Sequence, residues 1–141
     1  MDFNKFIKDK SITNINININ VVALIRRDNK ILMGLREYKK GNPLWTFPGG
    51  RCEEGETIKE ALIREIEEEI GATKFNILRF IGEKLGVHNG DKVYFFECSI
   101  KNQEPKLMEP KKFIKWSWIS LDNLPPNLID QNDVKFLKLL L

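Results

Sequence analysis

The segment that most constrains this chain lies between residues 57 and 70. Aliphatic side chains recur there at every fourth position, and a glycine follows at position 71, where the C-terminus of a helix is expected. This pattern predicts an amphipathic helix over Thr57–Ile70 with one face packed against the rest of the protein. The residues that form the apolar stripe are Ile58, Leu62, Ile66 and Ile70.

Several glutamates of this helix share its buried side. At about 100° per residue, Glu69 points into the apolar stripe, between the directions of Ile58 and Leu62, and Glu65 and Glu68 flank it. A buried carboxylate is costly unless a cation or strong donors accompany it, and neighbouring carboxylates also repel one another. A divalent cation would resolve both problems. Carboxylate oxygens without His or Cys suit Mg²⁺ or Mn²⁺ better than Zn²⁺.

A solvated acidic face is the common alternative for a helix rich in glutamate. We adopt that interpretation for Glu60 and Glu67, which point to roughly the opposite side of the helix. For Glu65, Glu68 and Glu69, helical spacing alone leaves both interpretations open. The sequence of the preceding loop is needed to choose between them.

That loop begins at Pro48-Gly49-Gly50, where two glycines permit close approach of the backbone to another group. Glu56 lies at its end and could join the carboxylate cluster. Arg64 points away from the cluster by the same helical geometry. We interpret it as a structural link between loop and helix, with a phosphate contact as the alternative.

Together these residues resemble a complete Nudix box. The family pattern is a glycine, a spaced glutamate and an REUxEExGU tail, where U is a bulky aliphatic residue, and all seven fixed identities occur within the 23 positions from Gly50 to Ala72. Ala72 is the one departure, because the family prefers Ile, Leu or Val there. The segments Leu44–Gly50 and Trp118–Pro125 also resemble the family's lead-in and its closing strand and turn.

The resemblance implies an α/β/α sandwich with a mixed sheet, and Mg²⁺- or Mn²⁺-dependent hydrolysis of a nucleoside diphosphate linked to another group. It implies Glu65 and Glu69 as the best metal ligands, with Glu68 as a ligand or water-orienting base and Glu56 as a direct or indirect contributor. Glu65 and Glu68 are thus the candidate catalytic residues, and Glu65 is our first choice for deprotonating the attacking water. Downstream acids are the competitors for that role, and the candidates are Glu97 and Glu109.

The segment Met108-Glu109-Pro110 before Trp116-Ser117-Trp118 resembles a branch of nucleoside-triphosphate diphosphatases. Arg36 matches that branch as well, although a surface arginine is an equal alternative. The other candidate substrate-binding residues are Gly49, Gly50, Arg51 and Asp130. The aromatic residues Trp45, Phe47, Trp116 and Trp118 could stack on a base, but core packing is the favoured role for most of them.

This branch predicts conversion of a nucleoside triphosphate, ordinary or damaged, to the monophosphate and pyrophosphate. Nucleotide sugars, ADP-ribose and dinucleotides are alternative substrates within the same chemistry. An inactive Nudix module that only binds a ligand is a third hypothesis, which the four retained box glutamates disfavour.

Outside the box, the pattern predicts an α+β or α/β domain with a mixed sheet and two helices, spanning residues 1–141. Strict alternation over 12–20, extended by Val21–Ile25, predicts a strand, and a turn at 27–30 leads to a second strand at 31–36. Further expected elements are strands at 75–85, 92–100 and 115–120 and a terminal helix at 132–141.

The composition of the chain limits the kinds of partner that we expect it to bind. The net charge of +3 is too mild to indicate nucleic-acid or membrane binding, and no stretch approaches the length of a membrane span. The two cysteines lack metal-type spacing and do not suggest a disulfide framework, so we expect a protein of the reducing cytoplasm. A small nucleotide as substrate is what the Nudix resemblance implies. A homodimer stays open.

Overall fold

The fold is known from a computed structural model that describes residues 18–38, 41–86 and 90–141. Seven strands, two α-helices and one 3₁₀ helix follow one another along these residues. The strands are β1 (Asn18–Arg27), β2 (Lys30–Arg36), β3 (Leu44–Thr46), β4 (Gly49–Arg51), β5 (Asn76–Leu85), β6 (Asp91–Ser99) and β7 (Phe113–Ser120). The helices are α1 (Ile58–Ile70), a 3₁₀ turn (Gln131–Asp133) and α2 (Val134–Lys138).

The strands form one mixed sheet with β1 at its centre. Strand β1 pairs in parallel with β6 and antiparallel with β2 and β4, while β5 pairs antiparallel with β6. Strand β2 also pairs with β3 and β7. The expectation of a mixed sheet is confirmed.

Alternation along β1 supplies both faces of the sheet with apolar side chains. Val21, Ala23 and Ile25 pack against α1, whereas Leu24 packs into a second cluster with Phe136 of α2. Successive residues of a strand point to opposite faces, so one strand serves two cores. The order helix, sheet, helix is the α/β/α sandwich predicted from the sequence.

Helix α1 is held at both ends by its own sequence. The Thr57 hydroxyl accepts a hydrogen bond from the Glu60 backbone N–H, and the Glu60 carboxylate accepts one from the Thr57 N–H, each at 3.0 Å. This capping box fixes the first turn. Gly71 ends the helix in the left-handed conformation at φ 71°. Glu60, which we expected to belong to a solvated face, therefore also caps the helix.

The prediction that Gly49 and Gly50 lie in a loop is wrong. They form the short strand β4, in which Gly50 pairs with Val21 and Arg51 with Asn20. A Cβ atom on Gly49 would lie 2.2 Å from the Val21 carbonyl oxygen, so only glycine lets the chain run this close to β1. Pairing thereby fixes the residues that precede the helix.

Other boundaries differ less from the predictions. The predicted terminal helix at 132–141 is reduced to a 3₁₀ turn and the five residues of α2. The last predicted strand begins two residues earlier, at Phe113. The alternating segment at 12–17 lies outside the described residues, and β1 begins directly after it.

Candidate active site

The centre of the candidate site is the contact between α1 and β4. The side chain of Glu69 is on the apolar side of α1, and the residue is 2% exposed. Its Oε1 accepts a hydrogen bond of 2.8 Å from the Gly49 backbone N–H. The prediction that Glu69 projects into the apolar stripe is confirmed.

Burial changes the proton affinity of two glutamates here. Loss of hydration raises the pKa of Glu69 to about 8, although the bond from Gly49 opposes this rise. Burial also raises the pKa of Glu65, against the effect of the adjacent Arg64. Both carboxylates would therefore gain from a nearby cation beyond those that the chain supplies.

Because Gly50 has no side chain, the Glu65 carboxylate can pack directly against its backbone. A Cβ atom at Gly50 would lie 2.4 Å from the carboxyl carbon of Glu65. Any side chain at position 50 would have to displace that carboxylate, so the glycine of the box is explained by close packing rather than by backbone conformation.

Arg64 joins the loop and the helix through its guanidinium group. It donates to both carboxylate oxygens of Glu56 at 2.7 and 2.9 Å, to Glu65 Oε1 at 2.9 Å and to the Arg51 carbonyl at 2.9 Å. A longer contact of 3.4 Å reaches Glu68. The hydrogen bond from Arg64 holds the pKa of Glu56 below its usual value.

The prediction that Arg64 points away from the carboxylates is wrong. Helical geometry gives the direction of the Cα–Cβ bond, but the long side chain of arginine can turn back across the helix surface. Arg64 consequently contacts three of the four box glutamates, and also links them to β4.

The box carboxylates fit a hard divalent cation by their chemistry, because all of their donor atoms are oxygen. Among residues 18–38, 41–86 and 90–141, however, no group of three or more His, Cys, Asp or Glu side chains is arranged to hold a metal ion. Arg64 engages Glu56 and Glu65 instead, and the side chain of Glu68 is 55% exposed.

A cavity of about 800 Å³ opens beside Glu69. Its lining includes five of the candidate substrate-binding residues, which are Arg36, Gly49, Gly50, Arg51 and Asp130. The structure thus brings together residues that are up to 94 positions apart in the sequence (36 to 130).

Other candidates lie elsewhere. The carboxylate of Glu109 is near enough to Glu69 to contribute to its raised pKa, but Glu109 is not among the described residues that line the cavity. Glu97 accepts a hydrogen bond of 2.7 Å from Arg79 and likewise lies outside the lining. Of the four aromatic residues considered for stacking, Phe47 lines the cavity, whereas Trp118 packs beneath the guanidinium group of Arg27 at 4.2 Å.

Sequence reasoning missed three polar residues of the cavity lining, Lys84, Asp91 and Asp133. Lys84 donates to Asp130 at 2.8 Å and to Asp133 at 2.5 Å, and Asp91 lies 3.7 Å from Arg51. The only available signal was a lysine inside a strand, which is ordinary at a sheet edge.

Comparison with known proteins places this geometry in a family. The sequence profile of the NUDIX domain matches residues 16–140. The chain belongs to the Nudix family. It is 30% identical over 110 residues to the 8-oxo-dGTP diphosphatase of Buchnera aphidicola, an alignment that covers 74% of this chain and 78% of that protein. Further Nudix relatives are named RNA pyrophosphohydrolase, ADP-ribose pyrophosphatase and NAD-capped RNA hydrolase.

Some alignments cover only part of the relative. The match to the CTP pyrophosphohydrolase of Escherichia coli is 39% identical over 69 residues, which are 48% of this chain and 47% of that protein. The match to a Nudix relative from Caenorhabditis elegans covers 34% of that protein's length.

Solved structures agree with the fold of this Nudix domain. The crystal structure of the MutT NUDIX hydrolase from Burkholderia pseudomallei superposes with a TM-score of 0.71 at 26% identity, covering 88% of this chain and 98% of that one. Within the described residues, none of the helices has both the length and the apolar character needed to cross a membrane.

Proposed function

We propose that this Nudix protein hydrolyses a (deoxy)nucleoside triphosphate, ordinary or damaged, to the monophosphate and pyrophosphate with the help of Mg²⁺ or Mn²⁺. The observation that carries the proposal is the buried Glu69 carboxylate at one end of a nucleotide-sized cavity, with Arg36 and Arg51 in the same lining. Anionic phosphates would meet the positive charge of these arginines in a cavity that also contains a carboxylate that gains from a metal ion.

The names of two relatives support a triphosphate substrate. One is an 8-oxo-dGTP diphosphatase and the other a CTP pyrophosphohydrolase. Both names describe cleavage in a nucleoside triphosphate, although the bases differ, so they support the reaction class and leave the base open.

In this proposal each box residue has a distinct role. Glu65 and Glu69 hold the metal with Glu68 and Glu56, and Glu65 accepts the proton of the attacking water. The metal, when bound, supplies positive charge to the phosphate oxygens and lowers the pKa of water. The Gly49 N–H orients Glu69, while Arg64 orients Glu56 and Glu65. Such positioning matters because phosphoryl transfer depends mainly on geometry and charge compensation.

Hydrolysis of ADP-ribose, a nucleotide sugar or a dinucleotide is the second candidate. It is favoured by an ADP-ribose pyrophosphatase of Methanocaldococcus jannaschii that is 45% identical over 51 residues, although these are only 36% of this chain. A ligand-binding module without activity is a weaker candidate, because Glu56, Glu65, Glu68 and Glu69 are all in place.

Cytoplasmic placement and a small-molecule partner are part of the same proposal. Cys52 and Cys98 are both free thiols, which suits a reducing compartment.

A substrate panel tests the proposed reaction. The protein is incubated with Mg²⁺ and nucleoside triphosphates, oxidised purine triphosphates, ADP-ribose, nucleotide sugars or dinucleotides, and the products are separated. Pyrophosphate with the monophosphate is the expected result for the triphosphates. Faster turnover of ADP-ribose or a nucleotide sugar would favour the second candidate, and no turnover of any compound would favour the binding module.

A further inference from the structure

Asp91 is a buried acidic residue of the cavity lining, and the box residues do not account for it. The residue is 2% exposed, and its Oδ1 atom has no hydrogen-bond partner. Its Oδ2 atom lies 3.7 Å from the Arg51 guanidinium, which is longer than a hydrogen bond. A carboxylate without donors is costly to bury, so its presence at this position calls for a reason other than stability.

The strand pairings place Asp91 and Arg51 on the same face of the sheet. Arg51 in β4 pairs with Asn20 in β1, and Asp91 in β6 pairs with Asn18, two residues earlier in β1. Directly paired residues share a face of the sheet, and so do residues two apart in one strand. Both side chains also line the cavity that contains Glu69. Asp91 is therefore in the same cavity as the proposed phosphate site.

The backbone of Asp91 is held from two sides. It pairs with Asn18 of β1, and its carbonyl oxygen accepts a hydrogen bond of 3.0 Å from the Gly86 backbone N–H. A Cβ atom on Gly86 would lie 2.8 Å from the Cβ atom of Asp91, so glycine allows the two segments to pack closely. The carboxylate thus has a fixed location in the cavity wall.

Arg51 combines a fixed backbone with an exposed side chain. Its backbone pairs with Asn20, and its carbonyl oxygen accepts a hydrogen bond of 2.9 Å from Arg64. The side chain is 58% exposed, and within the described part of the chain its one ion pair is with Asp91. An arginine side chain loses much rotamer freedom when it binds an anion. A fixed carboxylate beside it reduces that loss, because it limits the directions of the guanidinium before the anion arrives.

Two other roles for Asp91 fit the geometry less well. An ion pair of 3.7 Å with an arginine that is more than half exposed adds little stability. Direct contact with the phosphates is disfavoured, because the Asp91 side chain is 3% exposed and carries the same sign of charge. The guanidinium has five N–H donors, so it can contact Asp91 and a phosphate at the same time.

We propose that Asp91 is a positioning residue, which holds the Arg51 guanidinium in the cavity so that it binds the phosphates of the substrate. This inference rests on the proposed function, because it assumes a phosphate-bearing substrate beside Glu69. The Gly49 N–H binds the Glu69 carboxylate, and Arg51 follows Gly49 by two residues, or about 7 Å of strand. That distance is within reach of an arginine side chain.

Steady-state kinetics with Mg²⁺ test the proposal on whichever of ATP, GTP, CTP and UTP is cleaved fastest. Asp91→Asn keeps the shape of the side chain and removes its charge. We expect it to raise KM about tenfold, since Arg51 must then be ordered by the substrate, and to leave kcat within about twofold. Arg51→Met should raise KM at least as much. In the double variant, Asp91→Asn should add nothing to the effect of Arg51→Met, because Asp91 acts through Arg51.

Glu83→Gln serves as the matched control. Glu83 is an exposed carboxylate of β5 that pairs with Tyr94, whose side chain packs on the α1 side of the sheet, away from the cavity. Its KM should equal that of the wild type. An unchanged KM in Asp91→Asn would overturn the proposal, and so would a further rise in KM when Asp91→Asn is added to Arg51→Met.

Calorimetric titration with inorganic pyrophosphate and Mg²⁺ separates this proposal from the proposed function. The affinity should fall about tenfold in Asp91→Asn and at least as much in Arg51→Met, and the double variant should match Arg51→Met. Equal affinities of the wild type and Asp91→Asn would overturn the role of Asp91 and leave triphosphate hydrolysis standing. A wild type that binds pyrophosphate but hydrolyses none of the four nucleotides would overturn the proposed function alone. Absence of both hydrolysis and pyrophosphate binding would overturn both.

Discussion

At the scale of single residues, the proposed chemistry depends on keeping one carboxylate where water is scarce. Glu69 is 2% exposed and contacts one backbone donor, so its burial is only partly compensated by the protein. A cation would complete that compensation. This makes Glu69 the residue whose charge, rather than whose size, should matter for activity.

Replacement of Glu69 by glutamine separates charge from shape. The amide oxygen can still accept from Gly49, so we expect the fold to persist while Mg²⁺-dependent turnover falls by about 100-fold or more. Steady-state kinetics with the preferred nucleotide measure the loss. Glu67→Gln, on the exposed side of the same helix, is the control and should stay active. Near-normal activity of Glu69→Gln would refute the assignment of Glu69 to the metal.

The raised pKa of Glu69 predicts how the metal-free protein responds to pH. Between its ordinary pKa of 4.5 and its raised pKa of about 8, Glu69 retains a proton in the folded protein that the unfolded chain has released. Stability must therefore fall as the pH rises through this window. Urea unfolding with a chelator present, at both ends of the window, measures the fall. Glu69→Gln lacks the titrating group and should show a smaller one, so equal slopes would contradict the prediction.

The site residues differ in how far sequence could predict them. Burial of Glu69 follows from helical periodicity, which depends on backbone geometry alone. The contacts of Arg64 do not follow, because they depend on which way a long side chain folds back. Lys84 could not be identified either, since its partners Asp130 and Asp133 are 46 and 49 residues away.

At the scale of elements, the site exists because β4 and α1 are fixed against each other. Strand β4 pairs with the central strand β1, and its two glycines bring their backbone against Val21 on one side and Glu65 on the other. Sequence predicted the helix well because its stripe and caps are local signals. It missed β4, because glycine has low strand propensity and pairing with β1 overrides it.

Substitution of Gly50 by alanine tests this contact. The new Cβ would meet the flexible end of Glu65, which can move aside, so we expect activity to fall more than stability. Activity and urea unfolding are measured on the same preparation. Gly34→Ala provides the contrast, since its Cβ would lie 2.7 Å from the Trp116 ring, which is less able to move. That variant should lose stability first.

At the scale of the whole molecule, the cavity lies between the sheet and the C-terminal segment. Helix α2 has only five residues, too few to be stable by itself. It is held by packing, because Phe136 stacks on Phe95 at 4.2 Å beneath Gly82, while Lys84 ties Asp130 and Asp133 to β5. The wall that carries Asp130 therefore depends on residues outside the Nudix box.

Removal of the Phe136 ring should show this dependence. Phe136 is 4% exposed, and Phe136→Ala is expected to lower the free energy of unfolding by about 3–5 kcal/mol, as measured by urea denaturation. Leu139→Ala is the matched control in the same segment. Leu139 is 54% exposed, so its truncation should change stability by less than about 0.5 kcal/mol. If the two variants were equally stable, α2 would not be anchored by Phe136, and the Lys84 ion pairs would have to hold the cavity wall alone.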